Sequence, residues 1–318
     1  MAKMPEGTLL RAGVAGAGVF GGIHAQKYEA SNDAELTAVY DPDEARAQIL
    51  AERYGARACK SYDEFLEQID IATIAAPAAV HFDLGLRAIR DGRHVYMEKP
   101  LALSVAHAEE LDDAARRADV IVQVGHQERL VVDAIGLFTD GAIPNQVEFA
   151  RCGPSSGRCE DVSVVWDLMI HDLDLLARIG MGSLLEAHAV GDEHETTATL
   201  HFTGGRAASL IASRRCPERR RTMTARYDDG DVTLDFMERA IRSTRPFNVP
   251  QDSALARALA DPLGAHVQSF LDAILGRKTT HISCADARSA VHFAEAVEAA
   301  RLHEHADVDR AEQMLSSS

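Results

Sequence analysis

In the first part of the chain, short apolar runs alternate with longer segments whose apolar residues recur at helical spacing. The runs predict strands that end at residue 14 and that cover 36–40, 71–75, 94–97 and 120–124. The intervening segments predict helices over 43–54, 81–90 and 104–117. This alternation is typical of an α/β fold with a parallel, doubly wound sheet, the Rossmann architecture, whose ligands bind outside the carboxyl ends of the strands.

The pattern changes near residue 129, where strand-like runs begin to follow one another directly. We predict strands over 146–151, 186–190, 196–202, 207–212, 222–227 and 232–236, and a helix over 161–179. Gly204-Gly205 and Asp229-Gly230 are hairpin-type turns between these strands. We therefore expect two domains: an N-terminal Rossmann domain over 8–128, and a C-terminal α+β domain over 129–318 with a large, mostly antiparallel sheet.

The first predicted strand runs into the glycine-rich segment GAGVFG at residues 16–21, a G-x-G-x-x-G motif. Gly16 allows a tight turn, and Gly18 lets a pyrophosphate approach the backbone where a Cβ would otherwise stand. Gly21 lets the next helix pack close to the strand. The first amides of that helix would point at the phosphates, with the positive end of the helix dipole behind them.

The second predicted strand ends in Asp41, about 20 residues beyond the last glycine of the motif. A carboxylate there accepts both ribose hydroxyls of NAD and repels a 2′-phosphate. No arginine directly follows Asp41 to receive such a phosphate. The sequence therefore predicts NAD as the cofactor, and the alternative is an ordinary βα turn with a surface aspartate.

Other polar segments follow further strands of the same sheet and are expected at the same edge. They are Pro77, Glu98-Lys99-Pro100 and 125–129. A lysine at the mouth of a cofactor crevice stabilises an oxygen that gains negative charge as hydride leaves, which gives Lys99 a candidate role. A lysine at a strand end with no ligand is the alternative. We predict a cofactor site made of Gly16, Gly18, Val19, Phe20, Gly21, Asp41, Ala76, Pro77, His81, Glu98, Lys99 and Gln127, although His81 could instead cap its helix.

A candidate base lies in the second predicted domain. Asp167 and His171 are four residues apart and share one face of the predicted helix. An imidazole accepts a proton near neutral pH, and a neighbouring carboxylate stabilises the resulting imidazolium. The alternatives are an exposed polar helix face and a zinc site. No nearby cysteine or second histidine completes a zinc ligand set, so we predict no metal.

Bulk composition limits the classes of partner. The chain has 318 residues and a formal net charge of −16, which argues against a nucleic-acid binder. It has five cysteines, an odd number, and none of them forms a C-x-x-C pair. This pattern is typical of reduced cytosolic thiols. The first seven residues contain no apolar signal region, and no run is long enough to span a membrane. We expect a cytoplasmic protein.

One basic cluster stands out in this acidic sequence. Bidentate arginine contacts could hold a substrate diphosphate there. A solvated turn or a subunit edge is the interpretation that we favour. The cluster consists of Arg214, Arg215, Arg219, Arg220 and Arg221.

Taken together, GAGVFG, Asp41, Glu98-Lys99-Pro100 and Asp167-x-x-x-His171 resemble the Gfo/Idh/MocA family of sugar dehydrogenases. The resemblance covers nearly the whole chain. It implies that Lys99, Asp167 and His171 form the catalytic set. It also implies that the second sheet mediates the contacts of a homo-oligomer, either a dimer or a tetramer.

Within that family, the runs VGHQER, RCGPSSGR and VVWDLMIHDLDLL are similar to a branch that oxidises the 3-hydroxyl of UDP-N-acetylglucosamine. That branch supplies precursors of lipopolysaccharide or lipid A, and it usually carries Arg-Phe-Asn-Pro where this chain has residues 129–132, RLVV. The similarity implies that Arg129 and the loop Arg151–Arg158 meet the sugar or diphosphate, together with Lys99, Asp167 and His171. Within that loop, Arg158 is the predicted substrate contact. A dehydrogenase of free sugars or polyols such as inositol remains an alternative. A non-catalytic NAD-binding regulator is an alternative of another class.

Overall fold

A computed structural model describes residues 9–137, 141–155, 157, 161–246 and 260–316, with side chains described up to residue 303. The chain divides into two compact units. Unit 1 comprises Met1–Leu130 and Ala260–Arg288, and unit 2 comprises Val131–Leu259 and Ser289–Ser318. Within the described ranges, no helix combines the length and apolar character needed to cross a membrane.

Thirteen strands are described. They are β1 Leu10–Ala15, β2 Ala34–Tyr40, β3 Arg57–Cys59, β4 Ile71–Ile74, β5 His94–Met97, β6 Val122–Val124, β7 Gln146–Pro154, β8 Leu184–Gly191, β9 Glu195–Phe202, β10 Arg206–Ser213, β11 Arg215–Tyr227, β12 Gly230–Asp235 and β13 Ala240–Ser243.

The helices alternate with the strands of unit 1 and flank those of unit 2. They are α1 Val19–Glu29, α2 Glu44–Tyr54, α3 Tyr62–Glu67, α4 His81–Arg90, α5 Val105–Ala118, α6 Gln127–Ile135, α7 Ile170–Ile179, α8 Pro262–Ile274 and α9 Cys284–Ser316. A one-turn 3₁₀ segment, Ala78–Val80, precedes α4, and a π-helical segment, Val165–Met169, precedes α7.

The sheet of unit 1 has six strands in the order β3-β2-β1-β4-β5-β6, and all of its pairs are parallel. This is the strand order of doubly wound dinucleotide-binding folds. Strands β4 and β5 are buried at every position, because helices cover both faces of a parallel sheet. The predicted Rossmann architecture is confirmed, and the carboxyl ends of β1, β4 and β5 lie side by side.

The sheet of unit 2 has seven strands in the order β13-β12-β11-β7-β10-β9-β8. Only the β7–β10 pair is parallel, so the predicted mostly antiparallel sheet is confirmed. Alternate residues of β9 are buried, and Phe202 meets Phe293 of α9 edge to face at 5.6 Å between ring centroids. Helix α9 therefore covers one face, while the opposite face exposes residues such as Thr197, Ser209 and Ile211.

Two predicted elements differ from the structure. The strand predicted over 222–227 begins at Arg215, so four members of the arginine cluster lie in β11 rather than in a turn. This part of the strand is mostly exposed and carries polar side chains, so it has no apolar pattern by which the sequence could predict it. The helix predicted over 161–179 begins instead with the π-helical turn at Val165 and ends at Gly180, whose φ is 75°. Helical periodicity in the sequence does not reveal a single π-helical turn.

Residues 260–288 belong to unit 1 by packing, although they follow unit 2 along the chain. Phe270 and Leu271 of α8 are fully buried in the cluster that also contains Val39 and Tyr96. The Tyr96 hydroxyl lies 2.8 Å from Nδ1 of His266, within hydrogen-bonding distance. This differs from the two consecutive domains predicted, 8–128 and 129–318, because helical spacing shows that an apolar face exists but not which sheet it covers.

Replacing Phe270 with alanine should lower the free energy of unfolding by about 3–5 kcal/mol, because a fully buried ring leaves a cavity. The matched control is Ile49→Ala in α2 of the same unit, where the side chain is 70% exposed. This control should change stability by less than about 0.5 kcal/mol. Urea unfolding measures both, and equal effects of the two substitutions would contradict the packing of α8 in unit 1.

Candidate active site

The glycine-rich segment brings α1 into direct backbone contact with the end of β1. Gly16 has a φ of +102°, and a Cβ there would lie 2.5 Å from the carbonyl oxygen of Ala75. A Cβ on Gly21 would lie only 1.8 Å from the carbonyl oxygen of Gly16. Both predicted roles, the tight turn and the close helix packing, are therefore present in the structure.

Gly18 is different, because a Cβ on it would meet no described atom within 4 Å. Gly18 is the N-cap of α1; no side chain caps this helix and no acidic residue lies in its first turn. Val19 and Phe20 are 58% and 43% exposed beside it. The helix thus presents its first amides and its positive dipole end to open space, which fits the pyrophosphate of a dinucleotide.

Asp41 is tied to the same segment. Its Oδ2 accepts a hydrogen bond from the amide of Ala17 at 2.7 Å, and its Oδ1 accepts one from the amide of Asp43 at 2.9 Å. A carboxylate has about four acceptor positions, so these two bonds fix its orientation and still allow it to accept ribose hydroxyls. The structure therefore brings together the two features that predict NAD, the glycine cradle and the acid.

Glu98 lies at the end of β5 and is largely buried. Its Oε1 is 2.6 Å from Nε2 of His24, a fully buried residue of α1. A Cβ on Gly125, which follows β6, would lie 2.9 Å from Oε2 of Glu98. Glu98 therefore joins α1 to the ends of β5 and β6, next to the half-buried Lys99.

His81 has contacts other than those predicted. Its Nδ1 is 2.7 Å from the carbonyl oxygen of Pro100, and its Nε2 is 2.9 Å from that of Ala76. The ring is 1% exposed, and burial, outweighing these two carbonyls, lowers the pKa of His81. It neither caps α4 nor faces solvent where a dinucleotide could touch it. It joins the Ala76-Pro77 turn to the loop that carries Lys99.

The residues predicted near β6 divide into exposed and buried positions. Gln127 is half-buried at the start of α6, in keeping with a cofactor contact. Arg129, predicted to meet substrate, is only 5% exposed. Burial first, and then the charges of neighbouring histidines and of Arg129, hold the pKa of His266 well below its usual value. Arg158 lies outside the described residues.

Asp167 and His171 lie on either side of the junction between the π-helical segment and α7. Asp167 is within the π turn, and the half-buried His171 is in the first turn of α7. A π turn holds roughly one residue more than an α-helical turn, so four residues return the chain close to the same face. Isolated π turns inside helices are frequent at functional sites.

Two buried arginines reach this helix from the sheet through pairs that we did not predict. Arg151 was predicted with its loop to meet substrate, whereas in the structure it contacts Asp172. Arg214 is 7% exposed, and its Nη2 donates to Oδ2 of Asp167 at 3.0 Å. Arg151 is 3% exposed, and its Nη2 donates to Oδ1 of Asp172 at 2.7 Å. Arg214 is therefore not part of a solvated turn, which corrects our interpretation of the basic cluster. No local signal reveals these pairs, because their members are 47 and 21 residues apart.

A metal centre is not seen in the part of the chain that the structure describes. No three histidine, cysteine, aspartate or glutamate residues there are grouped so that they could hold a metal ion.

The doubly wound sheet, the glycine cradle and the placement of Asp41 define a dinucleotide-binding protein. The model of the oxidoreductase family with an NAD-binding Rossmann fold, Gfo/Idh/MocA, matches residues 10–126. The chain belongs to the Gfo/Idh/MocA family, and it is an NAD-binding enzyme of that family.

Similarity to individual proteins extends beyond the cofactor fold. The UDP-N-acetylglucosamine 3-dehydrogenase of Acidithiobacillus ferrooxidans is 32% identical over 285 residues, covering 85% of this chain and 90% of that protein. Its solved structure superimposes with a TM-score of 0.82 at 28% identity, over 92% of this chain and 98% of that one.

Two further comparisons extend the similarity to other proteins. The structure of GenD2 from gentamicin A biosynthesis, in complex with NAD, gives a TM-score of 0.78 at 25% identity, over 93% of this chain and 96% of that one. The myo-inositol 2-dehydrogenase of Thermotoga maritima is 27% identical, over 65% of this chain and 69% of that protein.

Three neighbouring glycines allow a matched test of the cradle. Gly18→Ala should weaken NADH binding about tenfold or more without loss of stability, because its Cβ would enter the open space that fits the pyrophosphate. Gly21→Ala should lower both stability and NADH binding, because its Cβ would meet backbone. Gly22→Ala is the control, since its Cβ would be 3.9 Å from Leu50 and alanine favours a helix. NADH fluorescence titration and thermal unfolding measure these effects, and normal NADH affinity in Gly18→Ala would contradict the assignment.

Asp41→Ala should weaken NAD binding and reduce the preference for NAD over NADP, because the carboxylate that receives ribose hydroxyls and repels a 2′-phosphate is lost. Asp43→Ala is the control. Asp43 caps α2 two residues away, so its loss should affect stability and leave cofactor preference unchanged. The dissociation constants of NAD and NADP, measured for both variants, test this prediction. An unchanged ratio of the two constants in Asp41→Ala would remove Asp41 from cofactor selection.

Proposed function

We propose that this enzyme oxidises a sugar hydroxyl to a ketone with NAD, and that its substrate is UDP-N-acetylglucosamine, oxidised at the 3-hydroxyl. The observation that carries this proposal is the reach of the similarity to UDP-N-acetylglucosamine 3-dehydrogenase. It covers 85% of the chain, so it includes the sheet and helices of unit 2 as well as the cofactor fold. We further propose a role in making precursors of lipid A or lipopolysaccharide.

The proposed chemistry divides the work between the predicted domains, with the cofactor in the first and the catalytic pair in the second. When bound, NAD would supply the acceptor for a hydride from the carbinol carbon. His171 takes the hydroxyl proton, so that the carbon–oxygen double bond forms as the carbon–hydrogen bond breaks. Asp167 orients His171 and stabilises its positive charge, and Lys99 stabilises the charge that develops on the oxygen.

Assembly and compartment are also part of the proposal. The face of the sheet in unit 2 opposite α9 exposes Val190 and Ile211 at 50% and 38%, together with small polar residues and larger polar ones such as His188 and Glu148. A surface of this kind supports a homo-oligomer, either a dimer or a tetramer. The described cysteines, Cys59, Cys152, Cys216 and Cys284, are free thiols, which supports a cytoplasmic location.

A second candidate substrate class is a free polyol or sugar. It is favoured by the similarity to myo-inositol 2-dehydrogenase over 65% of the chain. The roles proposed for Lys99, Asp167 and His171 suit either substrate, because each role concerns only the hydroxyl that is oxidised. The two candidates differ in whether a nucleotide diphosphate is required.

A substrate panel separates these candidates. Purified protein is incubated with NAD and either UDP-N-acetylglucosamine, free N-acetylglucosamine, glucose or myo-inositol. A 2-oxo acid is added in parallel in case tightly held NADH must be reoxidised. We expect NADH formation and a product two mass units lighter from UDP-N-acetylglucosamine. Turnover of myo-inositol alone would favour the second candidate, and no oxidation of any sugar would contradict the proposed function.

His171→Ala and Lys99→Ala should each lower turnover by about 10²–10⁴-fold, which is the usual contribution of acid–base and charge-stabilising groups. The affinity for NADH should stay within about twofold in His171→Ala, since His171 lies in unit 2 and outside the cofactor fold. His303→Ala, an exposed histidine of α9, is the control and should behave as the unchanged protein does. Normal turnover by His171→Ala would exclude His171 as the base.

A further inference from the structure

Arg214 occupies an unusual position for an arginine in a strand junction. It lies between β10 and β11, and its backbone amide donates to the carbonyl oxygen of His194 at 2.9 Å. Its side chain is only 6% exposed. The junction therefore directs the guanidinium into the interior of unit 2 rather than toward solvent.

The buried guanidinium holds two groups of the helix that carries the D-x-x-x-H motif. Nη2 of Arg214 donates to Oδ2 of Asp167 at 3.0 Å and to the carbonyl oxygen of Val162 at 3.1 Å. Val162 precedes the π-helical segment and Asp167 lies within it. One rigid, planar cation therefore fixes both the entry to this helix and the carboxylate proposed to orient His171.

The contact between Arg214 and Asp167 is buried, so its loss has consequences for the carboxylate. The Asp167 side chain is 13% exposed, so little solvent is available to replace the guanidinium. Removing one member of a buried ion pair takes a compensating charge away from the other. Without the guanidinium, the Asp167 carboxylate loses the contact that fixes its orientation, and it then orients a neighbouring imidazole less well.

A second buried pair on the same helix provides a comparison. Nε of Arg151 lies 3.2 Å from both carboxylate oxygens of Asp172, and both side chains are 3% exposed. The Arg151 contact thus fixes α7 to strand β7 through the residue after His171. The Arg214 contact instead reaches the acid of the motif itself.

We propose that Arg214 is a positioning residue for the reaction, and that it acts by holding the Asp167 carboxylate in the fixed orientation in which it supports His171. The expected effect on turnover rests on the proposed function. Arg214 needs no contact with substrate or cofactor in this role.

A double-mutant cycle on turnover separates positioning from general support of the fold. Arg214→Gln should lower kcat about 100-fold, the loss expected from a small misplacement of catalytic groups, while NADH affinity stays within about twofold. Placed in an Asp167→Asn background, the same change should lower kcat less than about threefold, because groups that act as a unit are not additive. Arg214→Lys should recover about tenfold, since lysine keeps the charge but not the planar fork.

The matched control is Arg226→Gln on the same strand. Arg226 pairs with Glu148 at the surface, where the two side chains are 40% and 50% exposed. Such a pair contributes little, so kcat should remain within about twofold of the unchanged protein. An Arg214→Gln loss that is equally large with and without Asp167→Asn would overturn the inference, as would a normal kcat in Arg214→Gln.

Urea unfolding tests the pair without any substrate. Arg214→Gln should lower the unfolding midpoint, and adding Asp167→Asn should raise it again, because the buried carboxylate that has lost the guanidinium is removed. If the midpoint shifts of the two single variants simply add in the double variant, Arg214 and Asp167 do not interact and the inference is overturned. An unchanged protein that oxidises no substrate of the panel would overturn the proposed function and this inference together. Normal turnover by Arg214→Gln would overturn the inference alone.

Discussion

The structure of unit 1 depends on a backbone contact that only glycine permits. The first turn of α1 lies so close to the end of β1 that a Cβ on Gly21 would stand 1.8 Å from the carbonyl oxygen of Gly16. This contact sets the N-terminus of α1 at the edge of the sheet. The amides there, the open space at Gly18 and the carboxylate bound to Ala17 then form one surface suited to a dinucleotide.

Charge at the proposed site is organised by buried pairs rather than by the overall charge of −16. Many ion pairs of the described residues lie at the surface, where such contacts contribute little. The buried ones are different. His24 contacts Glu98 beside Lys99, and Arg214 contacts Asp167 close to His171. In both units, a residue proposed to act in the reaction thus lies near a buried contact that joins distant segments of the chain.

Much of the fold could be predicted, because the relevant signals are local. Apolar runs that alternate with helical segments give the parallel sheet, and hairpin glycines with alternating strands give the antiparallel one. The G-x-G-x-x-G segment and Asp41 were found by spacing alone. Strand β3 has only three residues, which is too short for the sequence to show an apolar run. The first part of β11, before residue 222, was not predicted because it is exposed and arginine-rich.

The features that sequence analysis could not provide are long-range. Nothing near Arg214 or Asp167 indicates that they meet, since 47 residues separate them. His81 was predicted in the cofactor site, whereas in the structure it is buried and its ring nitrogens lie near two carbonyl oxygens, which makes it a link between loops. The packing of α8 in unit 1 likewise depends on which apolar face it covers. Local pattern identifies the chemical groups, whereas three-dimensional packing determines which of them are exposed.

The central claim is that one chain moves hydride directly from a sugar carbon to NAD, with a proton passing to His171. The most direct measurement is the fate of deuterium placed at C3 of UDP-N-acetylglucosamine and followed by mass spectrometry of the recovered cofactor. The account predicts reduced cofactor one mass unit heavier than NADH, together with an unlabelled 3-keto sugar nucleotide. Reduced cofactor without deuterium, or deuterium retained in an oxidised product, would contradict it.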